Sequence, residues 1–122
     1  MKNYLLKTGI IFLFVFVKQS PAQCWEDIGG GLNSLGRSFY ADSATNLLYI
    51  GGNFGMAGGI TARQIARWNG TAWDSLAGGS QGGSQVLAIT KYNGDIYACG
   101  TYFGNNNPYN GRWNGTTWDS LP

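Results

Sequence analysis

Six acidic side chains, two cysteines and no histidine are the inventory from which any chemistry in this 122-residue chain would be drawn. Without imidazole, the usual Ser-His-Asp and Cys-His nucleophile systems lack their base, and the copper and zinc sites that lean on histidine lose their main ligand. The carboxylates are spaced for a structural role. Asp74 and Asp119 each follow a tryptophan, Trp73 and Trp118, and Glu26 follows Trp25 in the same way. A paired general acid and base needs two carboxylates brought together by unlike elements, whereas recurrence beside tryptophan describes a strand edge or turn. No catalytic residue, metal ligand set or cofactor is expected, and the chain is read as non-enzymatic.

Other features with a chemical reading also have a simpler one. The run from Gly78 to Gln85 has the glycine content of a phosphate loop, but no Lys-Ser or Lys-Thr ends it and no helical pattern follows, so it is read as a connection. Asn69-Gly70-Thr71 and Asn114-Gly115-Thr116 fit the acceptor pattern for N-glycosylation. Each is also an Asn-Gly hairpin signal, in which the asparagine serves the backbone. Cys24 and Cys99 would both reach an oxidising compartment if the chain is exported; a disulfide is then open to them, though nothing in the spacing demands it. Lipid attachment at Cys24 would need a small residue before it, and Gln23 is not one.

The elements that position these groups are repeats. Arg67-Trp68-Asn69-Gly70-Thr71-Ala72-Trp73-Asp74-Ser75-Leu76 returns as Arg112-Trp113-Asn114-Gly115-Thr116-Thr117-Trp118-Asp119-Ser120-Leu121, displaced by 45 positions (112 minus 67). Trp25 to Ile28 is a partial third copy, 48 positions before Trp73 (73 minus 25). Periods of roughly 40 to 50 residues, rich in β-formers, aromatics and glycine, point to propeller blades rather than helical solenoids. The spacing predicts an all-β fold of antiparallel four-stranded blades, with about two blades present.

Asn69-Gly70, Asn93-Gly94 and Asn114-Gly115 each predict a two-residue type I′ hairpin turn, because both central positions need positive φ. At the first, that register pairs Trp68 with Thr71 and Ala66 with Trp73, making Trp68 and Trp73 diagonal neighbours on one face, and it places Trp113 and Trp118 likewise. Thr45-Asn46 is the weaker counterpart of Asn93-Gly94. The predicted unit is Trp25 to Ile28, Ser38 to Asp42, Leu47 to Asn53 and Ile65 to Trp68. The next is Trp73 to Leu76, Gln85 to Tyr92, Asp95 to Tyr102 and Gly111 to Trp113, with Trp118 to Leu121 opening a third. Repeat units therefore run about 25–72 and 73–117.

Lys2 and Lys7 precede an unbroken apolar run from Gly9 to Val17, too short for the roughly 20 residues of a membrane span. Residues 1–22 are read as a signal peptide, with Ser20 and Ala22 as the small residues before cleavage at Gln23. Removing Lys2, Lys7 and Lys18 leaves five basic residues against six acidic ones, so no basic surplus suggests nucleic acid or an anionic membrane as partner. The chain is expected to be secreted, extracellular or at the cell surface, without a membrane span after cleavage.

Leu48-Tyr49-Ile50-Gly51-Gly52, the Ile65-Ala66-Arg67-Trp68 strand and Trp73 before a loop resemble kelch repeats. They are also similar to the kelch-like repeats of secreted bacterial surface proteins and of fungal cortical polarity markers. The resemblance covers nearly all of residues 23–122. It departs from the pattern where Cys99-Gly100 stands for Gly51-Gly52 and where the stretch after Tyr102 is shorter than that after Phe54. It implies a β-propeller, a fold that hosts binding, scaffolding and enzymatic roles alike. Closed propellers have about four to eight blades, so the rest of the ring is expected from a longer, here truncated, gene product or from further copies of the chain. Trp68, Trp73, Trp113, Trp118, Gly51 and Gly52 are read as repeat-structural. Phe54, Met56, Tyr102, Phe103, Asn105 to Asn107 and Tyr109 fall in or near blade connections, where aromatic and amide groups suit a glycan or an extended protein segment. Phe54, Tyr102, Phe103 and Tyr109 are the candidate ligand contacts. The function expected is a binding or interaction module; the alternatives are the propeller part of a larger secreted carbohydrate-active enzyme and a self-assembling structural repeat protein.

Overall fold

Asn93 and Gly94 both adopt positive φ (49° and 88°), as a type I′ turn requires, and the strands they join run without an intervening residue from Tyr92 paired with Asp95. The computed structural model of the chain describes residues 27–80, 83–102 and 108–122. Within them the fold is all-β and antiparallel. The strands are β1 (Leu35–Asp42), β2 (Leu47–Asn53), β3 (Met56–Ala57), β4 (Ile60–Thr61), β5 (Ile65–Trp68), β6 (Trp73–Asp74), β7 (Gly83–Tyr92), β8 (Asp95–Tyr102), β9 (Pro108–Trp113) and β10 (Trp118–Ser120). They form two four-stranded meanders, β1-β2-β5-β6 and β7-β8-β9-β10, and a short β3-β4 hairpin.

Two expectations from the sequence are corrected here. The hairpin register is the first: Trp68 pairs directly with Trp73, and Trp113 with Trp118, so the tryptophans are opposite rather than diagonal. The reason lies in the asparagines. Asn69 Oδ1 accepts from the backbone N–H groups of Thr71 (2.9 Å) and Ala72 (2.8 Å), and Asn114 Oδ1 accepts from those of Thr116 and Thr117 (both 2.9 Å). Each side chain holds a four-residue loop in place of the two-residue turn. The second correction is the phase of the unit. Trp73–Asp74 is hydrogen-bonded to β5, and Trp118–Ser120 to β9, so each closes the sheet before it and opens none after it. Of the expected strand Trp25 to Ile28, residues 25 and 26 lie outside the described residues, and Ile28 begins a short 3₁₀ turn.

The two sheets are copies of each other strand by strand. Thr90 pairs with Tyr97 as Tyr40 pairs with Tyr49, and Tyr97 pairs with Arg112 as Tyr49 pairs with Arg67. The displacement is 50 along the first strand (90 minus 40), 48 along the second (97 minus 49) and 45 along the third (112 minus 67). The step from 50 to 48 is the turn after the first strand, four residues in one copy and two in the other. Both first strands carry a bulge at the same place, at Arg37 in β1 and Leu87 in β7.

The copies stack face to face. One core joins Tyr49, Ile65 and Leu76 of the first sheet and its exit to Val86, Ile96, Ala98 and Trp113 of the second. Gly51 sits at the closest approach: a Cβ there would lie 2.5 Å from Val86 Cγ1 and 2.9 Å from Ile89 Cδ1. A second core lies on the far side of the first sheet, where Ile50 and Ala66 meet Phe54, Ala57 and Ala62. Each sheet thus has a forward face, bearing Tyr49 or Tyr97, and a backward face, bearing Trp68 or Trp113. The forward face of the first receives the backward face of the second.

Candidate functional site

Three devices recur in both copies and fix the faces. The indole N–H of Trp73 donates to the Ile28 carbonyl (2.9 Å), and that of Trp118 to the Leu76 carbonyl (3.0 Å). Each last strand is thereby tied to the segment that enters its own sheet. Arg67 pairs with Asp74 across β5 and β6, and Arg112 Nη2 with Asp119 Oδ2 (2.7 Å) across β10 and β9. The tryptophan pairs are tilted ring contacts, with centroids 5.3 Å apart for Trp68 and Trp73 and 5.6 Å apart for Trp113 and Trp118. These contacts answer the question raised by the recurring acids: Asp74 and Asp119 are each neutralised by an arginine on the neighbouring strand.

One ionic contact links the two sheets. Lys91 Nζ lies 2.6 Å from Asp42 Oδ2, so β7 is clamped to the end of β1 across the inter-sheet gap. Asp42 is only 6% exposed and also accepts from Thr45 Oγ1 (2.6 Å) and Ala44 N (3.2 Å). The hydrogen bond from Lys91, then that from Thr45, holds the Asp42 carboxyl below its ordinary 3.8, and the bond to Asp42 raises the Lys91 ammonium above 10.5. Because Asp42 is depressed in the folded chain, its contribution is full above 3.8 and is lost as pH falls through the lowered value. Because Lys91 is raised, its share is present below 10.5 and is lost as pH climbs through the raised value. The expected result is that Asp42→Asn removes part of the acid-side loss in thermal midpoint, and that Lys91→Met removes a smaller part, because the Thr45 and Ala44 hydrogen bonds still hold the carboxyl down. A pH series of melting curves checks this, and an Asp42→Asn midpoint that tracks the parent chain at every acidic pH would contradict it.

The forward face of the second sheet has no partner among the described residues. Ala88, Thr90, Tyr97, Cys99, Asn110 and Leu121 contribute to the wall of an open groove of about 330 Å³. These are the repeat counterparts of Ser38, Tyr40, Tyr49, Gly51, Ile65 and Leu76, the surface on which the second sheet itself sits. At the opposite end of the stack, Phe39 on the backward face of β1 is 63% exposed, and Ala41, Leu48 and Trp68 help to line a second hollow of about 400 Å³.

The ligand contacts expected from sequence divide differently. Phe54 is 2% exposed and belongs to the core behind the first sheet, so it is corrected from a ligand contact to a packing residue. Its aromatic character read equally well as a loop contact because only the β3-β4 hairpin folding back over it makes the difference. Met56 is exposed. Phe103 and Asn105 to Asn107, with the side chains of Tyr102 and Tyr109, lie outside what the structure describes. Trp68, Trp73, Trp113, Trp118, Gly51 and Gly52 all fall at strand-pairing or sheet-packing positions. Cys99 is exposed on the open face, and Cys24 lies outside the described residues. Sequence reasoning missed the pairing of Lys91 with Asp42; the signal was a lysine in the same inward register as Ile89. Among the described residues no helix is long and apolar enough to cross a membrane.

Fold and site together define a protein of stacked, repeat-related antiparallel meanders that share one interface, with the forward face of the second sheet uncovered among the described residues and the backward face of the first partly covered by Leu32 and the β3-β4 hairpin. Comparison with protein families, curated proteins and solved structures finds no match to the chain.

Proposed function

We propose that the chain is an exported, kelch-like β-propeller repeat segment that acts as an extracellular or cell-surface binding module and carries no catalysis of its own. The observation that carries the reading is the duplication of a complete set of sheet-defining contacts in two stacked meanders, Trp73 to Ile28 with Arg67 to Asp74, and Trp118 to Leu76 with Arg112 to Asp119. A unit that reproduces its own contacts at a period of 45 to 50 residues, and covers one sheet with the next, is the construction principle of propellers and other repeat arrays. In such an array the connections between second and third strands emerge together. Here Asp42 and Lys91 join the corresponding ends of β1 and β7, so the two sheets run in the same sense, and β2 and β8 both finish at the opposite end. Those connections are the surface offered to a glycan or protein ligand.

Export is tested by the intact mass of the secreted chain, expected to begin at Gln23. Binding is tested by exposing that product to arrays of glycans and extracellular peptides while assaying the same ligands for turnover. Saturable binding without turnover is expected; hydrolysis of a bound glycan by the purified chain would overturn the non-enzymatic reading.

A further inference from the structure

We propose that the hairpin tips Asn69-Gly70-Thr71 and Asn114-Gly115-Thr116 are acceptor sites for an asparagine-linked glycan, with Asn69 the more reactive of the two. The inference deepens the exported-module reading above and rests on it. It separates the end of the molecule that carries sugar from the end left for ligand.

In the Asn-x-Thr pattern the side-chain nitrogen Nδ2 takes the sugar, and the hydroxyl two residues on is part of what is recognised. An asparagine wholly committed to its turn could not serve in this way. The folded loops show that only one end of each amide is committed. Asn69 Oδ1 accepts from the backbone N–H groups of Thr71 (2.9 Å) and Ala72 (2.8 Å), while Asn69 Nδ2 has no hydrogen-bond partner among the described residues. In the second copy Oδ1 does the same work, but Asn114 Nδ2 also donates to Thr117 Oγ1 (3.1 Å). The difference is one residue, because Ala72 stands where the second copy has Thr117. A glycan on Nδ2 leaves Oδ1 an amide acceptor, so both bonds that hold the loop survive the modification.

Residues 69–72 and 114–117 are exposed, and a Cβ at Gly70 or Gly115 would meet no atom within 4 Å. The Asn69 tip belongs to a sheet whose forward face is covered, and the Asn114 tip to one whose backward face is covered. A neighbouring sheet on either side therefore leaves such a tip in solvent. Both tips lie at one end of the stack: Trp68 pairs with Leu48 beside the β1-β2 turn, and Trp113 with Ile96 beside the β7-β8 turn, the end joined by Asp42 and Lys91. β2 and β8 finish at the other end, where their connections to β5 and β9 begin. Sugar at the tips thus stands away from the loops assigned to ligand.

The donor class is a lipid-linked oligosaccharide, a sugar chain carried on a polyprenyl diphosphate. Nδ2 attacks the anomeric carbon. The new C–N bond forms as the bond from that carbon to the diphosphate oxygen breaks, one amide proton passes to base, and the polyprenyl diphosphate leaves.

The test presents the purified, folded full chain to an oligosaccharyltransferase and a lipid-linked oligosaccharide, and follows glycopeptides by mass spectrometry over time. Asn69 is expected to be modified about threefold or more faster than Asn114, where one hydrogen bond must first break. Thr117→Ala is expected to bring the two rates together, Ala72→Thr to slow Asn69 to the rate of Asn114, and Thr71→Ala to abolish modification at Asn69 alone. The denatured chain is expected to accept at both sites at comparable rates, so that the order reports the fold. A folded chain that takes no sugar overturns the acceptor sites, and equal rates at the two tips overturn the role given to Thr117. Expression in a secretory host that glycosylates asparagine separates this proposal from the reading beneath it. A secreted product that begins at Gln23 and carries no glycan at Asn69 sinks the glycan alone, whereas a chain retained with residues 1–22 sinks the export reading and the glycan with it.

Discussion

Gly100→Ala is expected to cost about 3 kcal/mol or more of folding stability, the upper range for forcing atoms into a packed site. Gly100 lies beside the β7 bulge, and a methyl there would press well inside van der Waals contact on the Gln85 carbonyl oxygen, with the Val86 Cα 3.1 Å away. These are backbone atoms of a paired strand, so no rotamer change relieves the clash; the strands must separate and lose ladder hydrogen bonds. Gly52 is its counterpart in the first sheet, facing the Leu35 carbonyl oxygen, and Gly52→Ala should fail in the same way. Gly115 provides the contrast. It has open space around its Cβ position but a φ of 100°, so Gly115→Ala should cost only the conformational strain, about 1 kcal/mol. Denaturant midpoints for the three variants check the order. A Gly100→Ala chain as stable as Gly115→Ala would show that the bulge opens freely and that the second glycine of each pair is not a close-approach residue.

The same glycines show what the sequence carries openly. Period, strand order within a hairpin and the sharing of a face by Trp68 and Trp73 follow from residue type and spacing, because alternation and turn chemistry are local. The loop register was not visible, since it depends on which donors an asparagine carbonyl captures, and the bulges at Arg37 and Leu87 carry no turn signal of their own. Asn69-Gly70 and Asn93-Gly94 look alike on paper. In the folded chain Asn93 takes positive φ itself, whereas Asn69 accepts two backbone N–H groups and stretches the loop to four residues. Phe54 shows a different limit: its burial is decided by Ala57 and Ala62, brought over it by a hairpin of two-residue strands too short to leave a periodic signal. Lys91 is the converse, a charged residue whose inward position only becomes intelligible once Asp42 is placed opposite it.

The stacking of the sheets accounts for a difference between residues that the sequence presents as identical. Trp68 and Trp113 occupy one repeat position, each directly opposite a second tryptophan, yet Trp113 is 6% exposed within the inter-sheet core while Trp68 is half-buried on the open backward face. Trp113→Ala is therefore expected to cost about 3–5 kcal/mol, the range for emptying a large aromatic site in a core. Trp68→Ala removes only the ring contact with Trp73 and the cover over Gly29, whose Cβ position lies 2.5 Å from Trp68 Cζ3, and should cost roughly half as much. Trp113→Phe sharpens the reading. The Trp113 indole N–H is buried without a hydrogen-bond partner, so phenylalanine loses area but also removes an unsatisfied donor, and should recover much of the alanine loss. The measurement is equilibrium unfolding at a dilution that disfavours association. Equal costs at Trp68 and Trp113 would mean that the second sheet does not cover the first.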